Sequence, residues 1–415
     1  MKIQIEKALL GGEITVISSK SYAHRILIAA SYGKTPVAVK RLPLCEDVKA
    51  TIGCLTACGT KISVEENTAL VTPQPFSDGV LDCGESGSTL RFMLPVAASK
   101  GINARFEGKG RLPFRPLGAI KEVLKKGGIT FDGDTLPFSI SGKLKADEFT
   151  VDGSLSSQYV TGLLLALCAE IGPKRLTVIG KKVSASYINI TLDVLKQFGI
   201  EVSSDKDGYS LTVPEILPSP SVLEVEGDWS NAAFFLAAGL ISSKITVKGL
   251  KYPSMQGDGK IVSLLRSLGG DVKVTENGVV ASPSKLKAAA LNCSDCPDLI
   301  PILAFTACFA EGVTEITGAE RLKIKESDRL KGITDILSSA GIKWRYADDV
   351  LYVEGGKVSP FVADCLHDHR LIMASSVLAS VCGGLLVNAD GVEKSYPDYF
   401  EAYSLLGGKY ALSLQ

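Results

Sequence analysis

Lysine and arginine side chains lie where several helices are predicted to begin. Helix N-termini carry unpaired N–H groups and the positive end of the helix dipole, so a cation there is electrostatically unfavourable. The cations in question are Lys20, Arg25, Arg91, Arg115, Lys325, Arg329 and Arg370. Their placement is explained if an anionic ligand binds beside them, because helix N-termini and arginine forks both bind phosphate and carboxylate groups.

Polar side chains occupy equivalent positions at the start of six apolar helices. These starts are 20–21, 85–88, 156–158, 228–230, 297–298 and 367–370. For any single serine or aspartate, helix capping is the ordinary explanation. Caps do not explain the cations, however, and parallel helices would aim several such ends at one place. We therefore interpret these helix starts as parts of a ligand site.

A repeated unit of about 70 residues organises the chain, and about six copies follow one another. Each copy has an apolar, Ala-rich helix, a Gly or Ser turn, and an alternating strand that usually ends in Gly. The copies are 26–39, which is a looser match, then 96–108, 164–180, 234–249, 303–318 and 377–391. A second, amphipathic helix in each copy ends in a Leu-containing turn and Gly, and another strand follows. The pattern predicts α/β modules.

Six modules are too many for one compact core, so we expect three in each of two domains. The natural break is the loop that contains Pro214, Pro218 and Pro220 and leads into 226–228. One module could equally be shared across this boundary, because the first strand, within 1–16, precedes the first helix.

Composition excludes several classes of protein. The 415 residues include 45 basic and 45 acidic side chains, which argues against a nucleic-acid binder. The N-terminus does not resemble a signal peptide, so we expect a cytoplasmic protein whose ten cysteines are mostly buried, reduced thiols. The charge-free run 371–389 predicts a buried helix, a Gly turn and a strand rather than a membrane span.

A basic stretch runs from Lys100 to Lys126. Its three distal lysines, Lys121, Lys125 and Lys126, are expected to be solvated. Arg111 and Arg115 are expected to be positioned, because Gly110, Pro113 and Pro116 restrict the loop around them.

The motifs resemble those of the enolpyruvyl transferases over essentially the full chain, in the branch whose acceptor is shikimate 3-phosphate. The matching segments, in order, are 19–25, 84–91, 111–116, 152–158, 325–329, 368–370 and 394–398. The chain departs from the family pattern at Glu85 and Arg321, where Asn is common. The resemblance implies an inside-out α/β barrel fold with two similar domains, each of three βαβαββ-type repeats. It assigns 1–18 plus 227–415 to one domain and 19–226 to the other, with two crossovers and closure over the substrates.

The resemblance also implies that the chain transfers the enolpyruvyl group of phosphoenolpyruvate to shikimate 3-phosphate in aromatic amino-acid biosynthesis. The residues implied for shikimate 3-phosphate are Lys20, Ser21, Arg25, Ser156, Ser157, Gln158, Ser184, Tyr187, Asp298 and Lys325. Those implied for phosphoenolpyruvate are Lys20, Gly87, Arg91, Arg115, Gln158, Arg329, Arg370 and Lys394. Both ligands are anionic, which suits these cations.

The implied chemistry needs a base for the acceptor hydroxyl and an acid for the methylene carbon, and then the reverse pair. Asp298 resembles the residue that handles the hydroxyl proton. Glu326 and Lys20 are candidates for proton transfer at the enolpyruvyl carbon and the phosphate bridge, and His369 is expected to assist.

Two alternatives remain open at this stage. One is the sister enzyme that transfers enolpyruvyl to a UDP-amino sugar, which typically has Lys-Asn where this chain has Lys20-Ser21 and a reactive Cys where 108–118 has none. The other is a non-catalytic anion-binding relative. No motif predicts a cofactor, and no ligand set predicts a metal; Cys293 and Cys296 form a lone CxxC. We expect a monomer that binds neither nucleic acid nor membrane.

Overall fold

The computed structural model describes residues 1–145, 147–180, 185–215 and 217–413. The chain divides into two compact units. The discontinuous unit comprises Met1–Ile17 and Gly227–Gln415, and the inserted unit comprises Ser18–Glu226. Each unit buries its own apolar core.

The chain begins with two strands of the discontinuous unit, β1 (Lys2–Ile5) and β2 (Gly12–Thr15). The inserted unit follows. Its described helices are α1 (Lys20–Ala30), α2 (Glu46–Ala57), α3 (Gly87–Lys100), α4 (Gly118–Lys126), α5 (Ser157–Leu167) and α6 (Ala185–Gln197), with a 3-10 turn at Leu112–Phe114. Its described strands are β3 (Val37–Lys40), β4 (Lys61–Glu65), β5 (Thr68–Thr72), β6 (Gly79–Asp82), β7 (Ala104–Glu107), β8 (Thr130–Phe131), β9 (Phe138–Ser141), β10 (Glu148–Asp152), β11 (Gly172–Ile179), β12 (Val202–Ser204), β13 (Gly208–Val213) and β14 (Val222–Glu224).

The rest of the discontinuous unit repeats this alternation. Its described helices are α7 (Trp229–Ile241), α8 (Ile261–Ser267), α9 (Ile300–Ala307), α10 (Arg329–Ser339), α11 (His369–Cys382) and α12 (Tyr399–Leu405). Its described strands are β15 (Ile245–Lys248), β16 (Asp271–Thr275), β17 (Gly278–Ser282), β18 (Ala290–Asn292), β19 (Val313–Thr317), β20 (Trp344–Ala347), β21 (Val350–Glu354), β22 (Phe361–Asp364), β23 (Gly384–Val387) and β24 (Tyr410–Ser413). Four 3-10 turns lie at Gly257–Lys260, Pro297–Leu299, Glu320–Ile324 and Val392–Lys394.

Every sheet among the described residues has four strands in the same arrangement. In the inserted unit the orders are β14-β3-β5-β4, β6-β7-β9-β8 and β10-β11-β13-β12. In the discontinuous unit they are β2-β15-β17-β16, β18-β19-β21-β20 and β22-β23-β1-β24. The first two strands of each order are parallel, and the other neighbours are antiparallel. This is the βαβαββ repeat, and the predicted fold class is confirmed.

Three sheets are completed by strands from a distant part of the sequence. β14 pairs in parallel with β3, with Val222 opposite Ala38, and so takes the place of a strand before α1. β2 does the same for β15. β1 takes the inner position of the last sheet, between β23 and β24. Each unit therefore completes its own three repeats.

The first helix of each repeat is almost wholly buried, which explains its apolar, small-residue sequence. In the inserted unit, α3 and α5 pack closely because Gly162 leaves room for the neighbouring backbone. A Cβ at Gly162 would lie 2.2 Å from the carbonyl oxygen of Arg91. The N-terminal ends of the two helices lie side by side, because Gln158 of α5 hydrogen-bonds to Ser88 and Arg91 of α3.

The predictions about the run 371–389 and about the cysteines are confirmed. The run 371–389 forms the buried helix α11, a turn at Gly383 and strand β23. All ten cysteines lie in the described part of the chain, and each is a buried free thiol. Among the described residues, no helix combines the length and apolarity needed to cross a membrane.

The prediction that Lys121 is solvated was wrong, although Lys125 and Lys126 are exposed. Lys121 lies on the face of α4 that packs against the core. Its Nζ donates to the carbonyl oxygens of Gly133 (2.7 Å) and Asp134 (2.8 Å), and it lies 4.0 Å from the Phe138 ring centroid. In the same stretch Arg115 is half-buried, whereas Arg111 is exposed.

Candidate active site

The carboxylate of Asp298 contacts three cations in the discontinuous unit. Asp298 lies in the 3-10 turn that precedes α9. Its Oδ1 lies 3.2 Å from Lys325 Nζ and 2.8 Å from Arg329 Nη1, and its Oδ2 lies 3.1 Å from Arg370 Nη2. These residues start or directly precede α9, α10 and α11, so the repeat brings three helix starts together around one carboxylate.

Arg329 is the most buried member of this group, with a side chain that is 1% exposed. Its guanidinium contacts three carboxylates: Asp298, Glu326 at 2.5 Å and Asp368 at 2.7 Å. Asp368 also accepts a hydrogen bond from Ser327 Oγ (2.9 Å) and caps α11 by accepting from Arg370 N (2.9 Å). Arg329 is thereby fixed on every side before any ligand arrives.

The surrounding cations decide the charge of Asp298. Burial opposes ionisation, but the charges of Arg370, Lys325 and Arg329 outweigh it and hold the pKa of Asp298 well below its usual range. Burial also lowers the pKa of Lys325, against the attraction of Asp298. Asp298 is therefore an ionised carboxylate. Its pKa depends on how strongly Lys325, Arg329 and Arg370 interact with it rather than with other anions.

His369 and Lys394 lie in the same unit. His369 is the buried first residue of α11, between Asp368 and Arg370. Lys394 ends the 3-10 turn Val392–Lys394, and its Nζ donates to the carbonyl oxygen of His367 (3.3 Å). The ion pairs described above join Asp298, Lys325, Glu326, Arg329 and Arg370 directly, and Lys394 meets the backbone that leads into α11.

The inserted unit contains a buried arginine, Arg25, whose hydrogen-bond partners are all neutral. Arg25, on α1, donates to Thr191 Oγ1 (2.8 Å), to Thr161 Oγ1 (3.3 Å) and to the carbonyl oxygens of Ser21 (2.5 Å) and Tyr187 (3.1 Å). No carboxylate lies within ion-pair distance of it among the described residues. Burial lowers the pKa of Arg25 to about 9, which still leaves the guanidinium charged at neutral pH.

Two further guanidinium groups meet at the N-terminus of α3. A Cβ on Gly87 would lie 2.4 Å from Arg115 Nη1 and 2.9 Å from Arg91 Nη1, so only glycine leaves both groups in place. Arg91 Nη1 donates to Gln158 Oε1 (2.6 Å), and Gln158 Nε2 donates to Ser88 Oγ (2.9 Å). Cations gathered at a helix N-terminus are suited to binding an anion.

The other predicted residues of the inserted unit lie at helix starts. Lys20 begins α1 and pairs with Asp47 at 2.8 Å, and Ser21 follows it. Ser156 caps α5, whose first residue is the buried Ser157. Tyr187 lies in the first turn of α6. Ser184 falls outside the described residues.

Sequence reasoning missed the carboxylates that hold these cations. Asp368 was noted as part of a helix start and of the segment 368–370, with no role of its own, and Asp47 was not singled out. Aspartate is an ordinary first-turn or capping residue at such positions. Their signal was available, because each stands at the start of a helix in a repeat that also carries an unexplained cation. Pairing those cations with carboxylates at other helix starts would have found them.

The cationic side chains described in each unit can bind anions. Those of the discontinuous unit surround carboxylates that can also transfer a proton. Among the described residues, no cluster of three or more His, Cys, Asp or Glu could hold a metal ion. These carboxylates and cations are suited to general acid–base catalysis and to electrostatic stabilisation of anions.

The sequence and the fold of the chain both match those of known proteins. The family model of EPSP synthase (3-phosphoshikimate 1-carboxyvinyltransferase) matches residues 5–403. A relative from Clostridium novyi, named 3-phosphoshikimate 1-carboxyvinyltransferase, is 33% identical over 98% of this chain and 97% of its own length. A relative of the same name from Clostridium kluyveri is 36% identical over the same shares.

Solved structures show the same fold. An EPSP synthase from Acinetobacter baumannii superposes with a TM-score of 0.84 at 23% identity, covering 99% of this chain and 100% of that one. The enolpyruvyl transferase NikO from Streptomyces tendae superposes with a TM-score of 0.76 at 18% identity, covering 99% and 98%. Since the family match extends over nearly the whole sequence, the chain belongs to the EPSP synthase (3-phosphoshikimate 1-carboxyvinyltransferase) family.

Proposed function

We propose that this chain transfers the enolpyruvyl group of phosphoenolpyruvate to the 5-hydroxyl of shikimate 3-phosphate and releases phosphate. The observation that carries the proposal is the contact of Asp298 with Lys325, Arg329 and Arg370. A carboxylate among three cations is an acid–base group placed where anionic substrates bind. The two units are proposed as the two domains, with this acid–base group in the discontinuous one.

Shikimate 3-phosphate is proposed to contact Lys20, Ser21, Arg25, Ser156, Ser157, Gln158, Ser184, Tyr187, Asp298 and Lys325. The charge of Arg25 is the physical reason to place a phosphate here. A buried guanidinium with neutral partners keeps an uncompensated charge, which is costly unless an anion neutralises it. A phosphate accepts from arginine with charge-assisted hydrogen bonds and would supply that charge.

Phosphoenolpyruvate is proposed to contact Lys20, Gly87, Arg91, Arg115, Gln158, Arg329, Arg370 and Lys394. This ligand carries both a carboxylate and a phosphate, so one cation would not neutralise it. The geometry at Gly87 favours the assignment, because Arg91 and Arg115 both lie against Gly87, the first residue of α3, and a helix N-terminus has unpaired N–H groups.

The proton transfers follow from the bonds that change. In the addition step, the 5-hydroxyl oxygen bonds to C2 of phosphoenolpyruvate and gives its proton to Asp298, while C3 gains a proton and becomes a methyl group. In the elimination step, the methyl group loses a proton, the C2–O bond to phosphate breaks, and phosphate leaves with a proton. Glu326 and Lys20 are assigned to the proton transfers at C3 and at the phosphate bridge, and His369 supports them.

The ion pairs explain how Asp298 could become a stronger base when an anionic substrate binds. In the free protein its three cations stabilise the ionised form. When an anionic substrate takes up part of the hydrogen bonding of Arg370 and Arg329, that stabilisation weakens and the pKa of Asp298 rises. Substrate binding would thus prepare the base for the hydroxyl proton.

We further propose that the protein acts as a monomer in the cytoplasm. The EPSP synthase family match gives its substrates as small anions, and the net charge of zero offers no long-range attraction to nucleic acid. Sedimentation at working concentration should give a single species of 43.9 kDa. A dimer mass would overturn this part of the proposal.

The deciding experiment is phosphate release from shikimate 3-phosphate plus phosphoenolpyruvate, with a chelator present and no added metal. We expect one phosphate per enolpyruvyl group transferred, and the product identified by mass spectrometry. Replacing shikimate 3-phosphate by UDP-N-acetylglucosamine should abolish release. Phosphate release with the UDP-sugar but not with shikimate 3-phosphate would contradict the proposal.

A further inference from the structure

A second buried carboxylate, Asp258, lies beside Arg370 in the discontinuous unit. Asp258 belongs to the 3-10 turn Gly257–Lys260 and is 5% exposed. The hydroxyl of Ser230 connects the two residues, because it accepts a hydrogen bond from Arg370 Nη1 (2.7 Å) and also hydrogen-bonds to Asp258. A change in the charge of Asp258 is therefore transmitted to Arg370 through one hydroxyl group.

The protein holds Asp258 in this position without a ligand. Gln256, two residues earlier, accepts from the backbone N–H of Trp229 (3.1 Å) and donates to the carbonyl oxygen of Gly227 (2.8 Å). These bonds tie the turn to the start of α7, which also carries Ser230. The distance between Asp258 and Ser230 is thereby set by the backbone.

The groups around Asp258 make its ionised form unfavourable. Asp298 and the thiol of Cys296 face it from the segment before α9, Asp228 and Ser230 from the start of α7, and Arg370 from α11. On its own turn Lys260 pairs with Asp295. Burial first, and then the charge of Asp298, raise the pKa of Asp258 to about 6, against the attraction of Arg370.

An anionic ligand at Arg370 would change the protonation of Asp258. In the described part of the unit, ion pairs join three cations, Lys325, Arg329 and Arg370, to three carboxylates, Asp298, Glu326 and Asp368. Asp258 is a further carboxylate beside this group, next to Arg370. An anion that contacts Arg370 adds further negative charge close to Asp258 and favours its protonated form.

We propose that Asp258 is a positioning residue that takes up a proton when phosphoenolpyruvate contacts Arg370 and releases it when the ligand leaves. Ser230 stays hydrogen-bonded to Asp258 in both states, so Arg370 keeps its orientation while the local charge changes. The inference rests on the proposed function, because it requires the anionic substrate to contact Arg370.

Steady-state kinetics at pH 6 to 8 test the proposal with the wild type, Asp258→Asn and the control Asp295→Asn. Ionised Asp258 weakens binding of the anion as pH rises, and the asparagine remains neutral. We expect the wild-type KM for phosphoenolpyruvate to rise roughly tenfold relative to that of Asp258→Asn between pH 6 and pH 8, with similar kcat. Asp295→Asn, an equal change at an exposed pair, should follow the wild type. Identical KM profiles for all three proteins would overturn the inference.

A measurement on the wild type alone decides the case if Asp258→Asn does not fold. Sulfate, which does not titrate in this range, is added to the complex with shikimate 3-phosphate in weakly buffered solution, and proton uptake is read with a pH indicator. Uptake is expected at pH 7 and should disappear at pH 5, where Asp258 is already protonated. Sulfate binding without proton uptake at pH 7 would overturn the proposal. A wild type that releases no phosphate would instead refute the proposed function.

Discussion

Asp368 accepts a hydrogen bond from Arg329 Nε at 2.7 Å, and neither side chain is more than 1% exposed. A buried ion pair is costly to break, because the remaining charge loses its partner without gaining water. The same carboxylate caps α11 and accepts from Ser327. One side chain therefore fixes the starts of α10 and α11, both of which carry proposed ligand contacts.

Asp368→Ala is expected to lower the free energy of unfolding by about 3–5 kcal/mol, since Arg329 and the start of α11 both lose a buried partner. Urea unfolding measures the change. Asp335→Ala is the matched control in the same unit, because Asp335 pairs with Lys331 on the exposed side of α10. If the two variants unfold at the same urea concentration, Asp368 has no special role in stability.

The repeats were readable in the sequence because local rules produce them. Each apolar helix ends near a glycine or serine turn, and the run 371–389 shows the pattern clearly. The long-range pairing was not readable: nothing in the sequence around Val222 indicates that β14 joins β3 across the whole inserted unit. The cations of the site could be found because they oppose the helix dipole. Their partners Asp368 and Asp47 look like ordinary helix-start residues when each helix is considered alone, and only the cations elsewhere in the repeats point to them. Lys121 shows that a charge run can conceal a buried side chain.

Arg25→Ala is expected to weaken shikimate 3-phosphate binding by about 10- to 150-fold, the equivalent of losing charge-assisted hydrogen bonds worth about 1.5–3 kcal/mol. The fold should persist, because Thr191 keeps hydrogen bonds to Thr161 and to the carbonyl oxygen of Tyr187. Calorimetric titration measures the affinity. Arg175→Ala, which removes an exposed pair with Asp205, serves as the control. Unchanged affinity in Arg25→Ala would remove Arg25 from the site.

His24 makes the stability of the inserted unit depend on pH. Burial lowers the pKa of His24 to about 3, and its Nδ1 bonds to Thr51 Oγ1 at 2.7 Å. The folded state therefore keeps it neutral while the unfolded state gains a proton below pH 6.5. Stability is lost as pH falls from 6.5 towards 3, by about 1.4 kcal/mol per pH unit for this one proton. His24→Gln should lose less on acidification. If the wild type and His24→Gln give parallel curves of unfolding free energy against pH, His24 is not the source of the pH dependence.

Glu326→Gln separates proton transfer from ion pairing. The variant keeps the shape of the side chain, and Arg329 retains Asp298 and Asp368, so folding and substrate affinity should be nearly intact. If Glu326 transfers a proton, kcat should fall by roughly 10²- to 10⁴-fold with little change in KM. Glu320→Gln, at an exposed pair with Lys323, is the control. Near-normal turnover in Glu326→Gln, with only a small drop in melting temperature, would assign it to the helix start alone.

Gly87→Ala tests whether Arg91 and Arg115 act together at the N-terminus of α3. The added Cβ would lie 2.4 Å from Arg115 Nη1 and 2.9 Å from Arg91 Nη1. Both atoms are at the far ends of flexible side chains, so the guanidinium groups should move aside while the fold remains. The variant should therefore melt near the wild-type temperature but show a KM for phosphoenolpyruvate that is raised by about tenfold or more, if one charge-assisted contact is lost.

Gly53→Ala provides the matched control for this last variant. Gly53 lies within α2, and a Cβ there would meet no atom within 4 Å. Alanine should stabilise that helix by about 0.5–1 kcal/mol, because glycine is the poorer helix former, and should leave KM unchanged. Steady-state kinetics and thermal melting of both variants separate a general effect of alanine from displacement of the two arginines. If Gly87→Ala keeps the wild-type KM, the two guanidinium groups at α3 do not hold the substrate.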